Sequence, residues 1–221
     1  MSAQGIVLLI IASLEVILGI YIVLRYQRSE INLWYVLFIF SVALWVGTNS
    51  YIYLTNPGGA SYEFEKISWF AGVLVTATFL MFSFYFPYKS KTISPHYLFL
   101  VIIPVLFFTP YIFAGKLFLE GIKVTDQGYG IEVGPLFYLF PIFFLVYWSW
   151  AITNLFKKFK VSDGVHHWQL KYLLIGVIVP VAIITITDIF LPWLSSSKLG
   201  WVGSASSAIW LGFTTYIILK K

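Results

Sequence analysis

The 221-residue chain has no cysteine, which excludes disulfides, thiolate nucleophiles and cysteine-ligated metals at once. Charge is scarce as well. Asp, Glu, Lys and Arg make up 10% of the residues against 60% hydrophobic, and mean hydropathy is +0.88. So few charges cannot clothe a soluble globular domain, and the composition is that of an integral membrane protein.

What the chain has instead is apolar runs long enough to cross hydrocarbon. They fall near residues 5–24, 31–53, 66–87, 97–114, 135–156, 172–193 and 201–219. This spacing predicts an all-α fold, a seven-transmembrane helix bundle forming one domain over 1–221 with the lipid bilayer as its first partner. The first run is expected to be a retained helix, because nothing positive precedes it, no small-residue cleavage site follows, and Arg25 and Arg28 lie after it.

Orientation follows from the short loops. Arg25, Arg28, Lys89, Lys91, Lys157, Lys158, Lys160, Lys171, Lys220 and Lys221 fall on one side, ten of the fourteen basic residues. Lys66, Lys116, Lys123 and Lys198 fall on the other, with Glu63, Glu65, Glu120, Asp126 and Glu132. The N-terminus is therefore expected outside and the C-terminus in the cytoplasm, in a multi-pass protein of the inner (plasma) membrane. The same asymmetry accounts for the net charge of +5, so nucleic-acid binding need not be invoked.

Aromatic residues are 20% of the chain. Trp34, Tyr35, Trp148, Trp150, Trp168 and Tyr172 on the inner side, and Tyr51, Tyr53, Trp69, Trp193 and Trp201 on the outer, are placed to anchor helices at headgroups. Trp45 and Trp210 lie deeper, as core packing or as pocket lining. Residues 115–134, between helices four and five, carry two short runs around Thr125-Asp126-Gln127-Gly128. They read as a small extracellular hairpin, either a lid over the bundle mouth or a plain connection. The 157–171 segment reads as a cytoplasmic loop whose four lysines anchor the topology. Its His166-His167 pair diverges by about 100° on a helix, so it makes no metal site without further ligands.

Two carboxyls stand inside apolar runs, Glu15 and Asp188. An aspartate at a helix centre costs roughly 2.5 to 3.5 kcal/mol on insertion scales, so both are expected to face inward. Glu15 shares its face with Ala12 and Gly19, small residues that permit close helix approach. Asp188 lies about 24 Å along helix six at 1.5 Å per residue, with Thr185 one turn before and Pro192 one turn after. Asn49 reaches a comparable depth on helix two. An outward-opening polar pocket between helices one, two and six accommodates all three, so the candidate ligand-binding residues are Glu15, Trp45, Asn49, Thr185 and Asp188. A buried carboxyl hydrogen-bonded in a dry core is the competing reading. Pro104, Pro110, Pro141 and Pro180 interrupt helices four to six as bends or hinges, and Gly203 to Ala208 give helix seven a small-residue stretch suited to close packing.

Helix seven has no lysine between Lys198 and Lys220, so a retinal Schiff base is excluded. Helix three ends Phe86-Pro87-Tyr88-Lys89, without the acidic-Arg-aromatic signature usual in eukaryotic seven-helix receptors, and the halves show no repeat of the kind transporters carry. The order of Trp45, Phe86-Pro87, Tyr129 to Pro135, the aromatic Leu136-Phe137-Tyr138 and His166 to Gly176 instead resembles the N-terminal seven-transmembrane sensor region of bacterial histidine kinases, over nearly the whole chain. The resemblance implies a sensory domain in a two-component system. It would bind a small-molecule or lipidic signal in the outward-facing pocket and pass it through helix seven to a cytoplasmic signalling domain, fused or associated, with a homodimer admitted. The alternative is a small transporter or channel using Glu15 and Asp188 as a proton or cation relay. No phosphoacceptor or ATP-binding glycine motif is present, so these residues are not expected to act as an enzyme, and no cofactor or metal is implied.

Overall fold

The computed structural model describes residues 2–25, 29–55, 59–88, 95–125, 128–191 and 199–219. They form α1 (Ala3–Arg25), α2 (Glu30–Leu54), α3 (Gly59–Tyr85) and α4 (Phe99–Phe113, entered by a 3-10 turn at Pro95–Leu98). A hairpin of β1 (Leu119–Thr125) and β2 (Gly128–Val133) follows. The chain continues through α5 (Leu139–Val161), α6 (Gly164–Ile184, prolonged by a π-helical segment Thr185–Phe190) and α7 (Gly200–Leu219). Six of these helices are long and apolar enough to cross a membrane. On α7 the small residues Gly203, Ser204, Ser206 and Ser207 are all buried.

The bundle has two chemically different ends. One carries the hairpin and the first residues of α1, α3, α5 and α7; the opposite end is rich in lysine. α1 is peripheral and buries one stripe, Gly5, Leu8, Ala12, Glu15, Gly19 and Ile22, at alternating intervals of three and four, the spacing of a single helical face. Apart from Ile11 and Leu18, which flank the stripe and are partly buried, its other apolar side chains are exposed, as a lipid-facing surface must be. The stripe meets α2 closely: a Cβ at Gly5 would run into Leu54, one at Gly19 into Phe40, and Gly47 lies against Ala12. Absent side chains here let two backbones approach, the packing that holds helices together where lipid removes the hydrophobic drive.

The core is aromatic and lies where α2, α3, α5 and α7 meet. Phe38, Phe79, Trp148 and Trp210 are all buried, with Phe79 stacked on Trp148 at 4.4 Å between centroids and Phe38 against Trp210 at 4.3 Å. This corrects the aromatic belt. Trp34, Tyr35 and Trp148 are core residues with 8%, 0% and 3% exposure, because their helices are central and their rings turn toward α3 and α7. Trp150 and Tyr172 stay exposed, and Trp193 lies outside the described residues.

The 157–171 loop is a second correction. α5 runs to Val161 and α6 starts at Gly164, so Ser162 and Asp163 alone join them and the histidines sit in the first turn of α6. His167 stacks on Phe159 at 4.1 Å and turns Nδ1 to the Phe159 and Ser162 carbonyls, while the Nδ1 of His166 lies 3.3 Å from Gln169 Oε1. Their partners differ. Lys158, read as one anchor among several, is 6% exposed. Its Nζ donates to the carbonyls of Ser83, Phe84, Phe86 and Tyr88 at 2.7 to 3.1 Å. These carbonyls close the end of α3, where no intrahelical donor remains and a cation is electrostatically favoured.

At the hairpin end β1 and β2 pair antiparallel, Ile122 opposite Ile131, with an irregularity between Leu119 and Gly121. The Tyr62 hydroxyl of α3 donates to the Leu119 carbonyl at 2.7 Å. Beneath it Phe118 and Phe137 are fully buried against Trp69, so the hairpin is seated on the bundle by its flanks. The central turn residues Asp126 and Gln127 lie outside the described residues.

Candidate functional site

In hydrocarbon a buried hydroxyl, amide or carboxyl must find its partner inside the protein. Several polar side chains of this bundle converge on α7. Gly203, Ser204 and Ser207 lie at i, i+1 and i+4, on one side of the helix. Each meets a different neighbour.

Ser207 meets α1. Its hydroxyl, 0% exposed, lies 2.8 Å from Glu15 Oε1 and 2.7 Å from the Ser204 carbonyl of its own helix, so one proton is shared between the carboxyl and the preceding turn. Glu15 is 3% exposed, and its Oε2 has no hydrogen-bond partner among the described residues. Ser204 meets α2. The Asn49 Nδ2 donates to its Oγ at 2.8 Å, and the Asn49 Oδ1 accepts from Ser68 of α3 at 2.7 Å. One amide thereby ties three helices together, using its donor and its acceptor at once.

Gly203 meets Asp188. A Cβ at this position would collide with Asp188 Oδ1 and Thr187 Oγ1, so the bare backbone is what lets the carboxyl lie against α7. Asp188 projects from the π-helical turn, in which Leu191 N–H reaches back five residues to the Ile186 carbonyl. The Thr187 hydroxyl faces both the Ile183 carbonyl at 3.0 Å and Asp188 Oδ1 at 2.6 Å. Such a turn inserts one residue into the ladder and rotates the helix beyond it, a distortion frequent at functional positions. Glu65 of α3 lies within electrostatic reach of Asp188, one turn before Ser68.

Of the five residues expected to line a pocket, three are brought against one turn of α7: Glu15, Asn49 and Asp188. The carboxyls do not share a partner, since Ser207 and Gly203 are about 6 Å apart along the helix axis. Thr185 turns its hydroxyl to the Val181 carbonyl of its own helix at 2.7 Å. Trp45 is partly buried against the hydrophobic core. The anticipated set of helices one, two and six lacked α7, the element common to all three contacts. Ser68, Glu65, Thr187, Gly203, Ser204 and Ser207 were absent from that reading; the signal that marks the α7 residues is hydroxyls and glycine recurring on one face.

Farther along, α7 is held again. The Tyr35 hydroxyl, wholly buried, sits 2.7 Å from both Thr214 and Thr215, and Gln169 Nε2 donates to the Ile217 carbonyl at 3.3 Å. No group of three or more His, Cys, Asp or Glu gathers among the described residues.

The model of one protein family, described as the N-terminal 7TM region of histidine kinase, matches residues 7–217. No curated protein matches the chain.

The close approach at Gly203 sets an expectation. Gly203→Ala should lower stability in mild detergent by about 1 to 3 kcal/mol, the usual cost of overpacking. Gly212→Ala, on the same helix with nothing within 4 Å of its Cβ, should cost nothing. Thermal unfolding followed by tryptophan fluorescence compares the two, and equal melting temperatures would show that Asp188 does not depend on the gap.

Proposed function

Because the chain belongs to the family of N-terminal seven-transmembrane regions of histidine kinases, we propose that its buried polar contacts are where a signal is sensed and that α7 carries the response to a cytoplasmic output module. The family makes it a sensory membrane domain rather than the catalytic part of a kinase. The finer reading is that a small molecule entering from the hairpin end competes for the Asp188, Asn49 and Ser204 groups and so alters how α7 is held. One observation carries it: residues of α1, α2 and α6 all bear on the Gly203 to Ser207 turn of the last helix. A ligand that binds one arrangement of these contacts better than another shifts the balance between them, and only such a difference can transmit anything.

The hairpin end is proposed to face outside and the lysine-rich end the cytoplasm, on the ten-to-four division of basic residues. The chain lacks cysteine, so single cysteines report this directly. With an impermeant maleimide on intact cells, Glu120→Cys on the hairpin should be labelled and Val165→Cys in the first turn of α6 should not; the reverse pattern would invert the bundle.

Transmission through α7 has its own test. With the chain joined to a kinase module, inserting one to four residues after Leu219 turns that module by about 100° per residue. Kinase output should then rise and fall with the insert, and Asp188→Asn should change the response to signal while leaving that periodicity in place. A flat series would exclude rigid transmission, and cation flux in liposomes abolished by Asp188→Asn would favour a transporter.

A further inference from the structure

Away from the polar contacts, α4 and α5 both pack on α3 but not closely on each other. Between them runs a cleft of about 340 Å³, with Ile103, Phe107 and Phe108 of α4 on one wall and Ile142, Phe143 and Val146 of α5 on the other. Ile103, Phe107, Ile142 and Val146 are exposed and Phe108 is buried, so the cleft has a floor and opens sideways. In a bundle that spans the bilayer, this opening is continuous with the lipid-facing surface. Water and headgroups are not its neighbours.

The chemistry of the walls narrows the occupant. Pro104 has no N–H, which frees the Leu100 carbonyl one turn earlier in α4. The Tyr147 hydroxyl of α5 donates to that carbonyl at 3.0 Å, so the one polar side chain on the cleft is already engaged. The walls are otherwise carbon, and a molecule inside finds packing and no hydrogen bond. In lipid there is no hydrophobic drive, so a bound apolar molecule is retained by contact area alone. Where a flat helix face offers a hydrocarbon chain one surface, this shallow cleft adds a second wall and a buried floor at Phe108, and its volume lies at the lower end of the range for ligand sites.

We propose that the α4–α5 cleft is a binding site for one acyl chain of a bilayer lipid. The site is separate from the residues around α7. Its floor leads to the hairpin through rings: Phe143 contacts Phe140 at 6.0 Å, and Phe140 contacts Trp69, which packs on Phe118 and Phe137. An acyl chain in the cleft therefore sets the spacing of α4 and α5 and bears on the packing that seats β1 and β2.

The test uses the whole chain in nanodiscs containing phosphatidylcholine with a photoactivatable diazirine in its acyl chain. After irradiation, adducts are mapped by mass spectrometry. Peptides covering 99–113 and 139–147 should carry more label than the α1 peptide 6–24, which is equally lipid-facing but has no cleft. Val146→Trp and, independently, Ile142→Trp should each fill the cleft from an exposed position and lower its label about tenfold, the effect of losing one modest binding step. Labelling of α1 should not change. Uniform labelling of all lipid-facing helices, or label unaffected by both tryptophans, would overturn the proposal. Displacement of the label by a few mole per cent of free oleate would overturn it too, by assigning the cleft to a free fatty acid.

Discussion

Hydrocarbon offers no hydrogen-bond partner, and that single constraint organises the polar interior of this bundle. A serine on a lipid-facing helix can return its proton to its own backbone, as Ser13 does to Leu9. A carboxyl or an amide cannot: Glu15 and Asn49 take partners on another helix, and Asp188 takes the hydroxyl of its neighbour Thr187 while lying against α7. Each reaches α7, whose small side chains leave room: Gly203 admits the Asp188 carboxyl, Ser204 receives the Asn49 amide, and Ser207 donates to Glu15. Gly203, Ser204 and Ser207 thus do two jobs, close packing and hydrogen bonding, and the position of α7 depends on both.

The two ends of the bundle differ in how their buried polar groups are paired. At the lysine-rich end, Lys158 closes the last carbonyls of α3 while Tyr35 and Gln169 hold the second half of α7. These contacts are satisfied within the protein. Nearer the hairpin Glu15 keeps one oxygen without a partner among the described residues, and the π-helical turn that carries Asp188 departs from regular α geometry. A sensory membrane domain needs one region that holds and one that yields, and the incomplete matching is in the half proposed to meet the signal.

Much of this was legible in the sequence, for reasons that show in particular residues. Seven spans follow from apolar runs, and Glu15, Asn49 and Asp188 stand out because a polar group inside such a run is costly. Their partners did not stand out. Serine and glycine are ordinary in membrane helices, so Ser204, Ser207 and Gly203 read as packing until the structure placed an amide and two carboxyls against them. Aromatic rings misled in the opposite direction, since Trp34, Tyr35 and Trp148 occur near span ends where anchors belong, yet central helices turn them inward. Lys158 likewise carries the composition of a topological flank, and only the meeting of α5 with the end of α3 reveals it as a cap. The α5–α6 connection reads as a loop because lysines and histidines lower hydropathy without breaking a helix.

The coupling between Asn49 and Ser204 measures most directly whether polar contacts clamp α7. A double-mutant cycle of Asn49→Leu and Ser204→Ala, with unfolding followed in mild detergent, isolates their pairwise energy from the effects of each change alone. Interhelical hydrogen bonds in membranes give about 0.6 kcal/mol on average and up to about 1.7. A buried amide engaged on both sides should lie in the upper part of that range, with the double mutant less destabilised than the sum of the singles. Strict additivity would contradict the clamp and leave α7 held by packing alone.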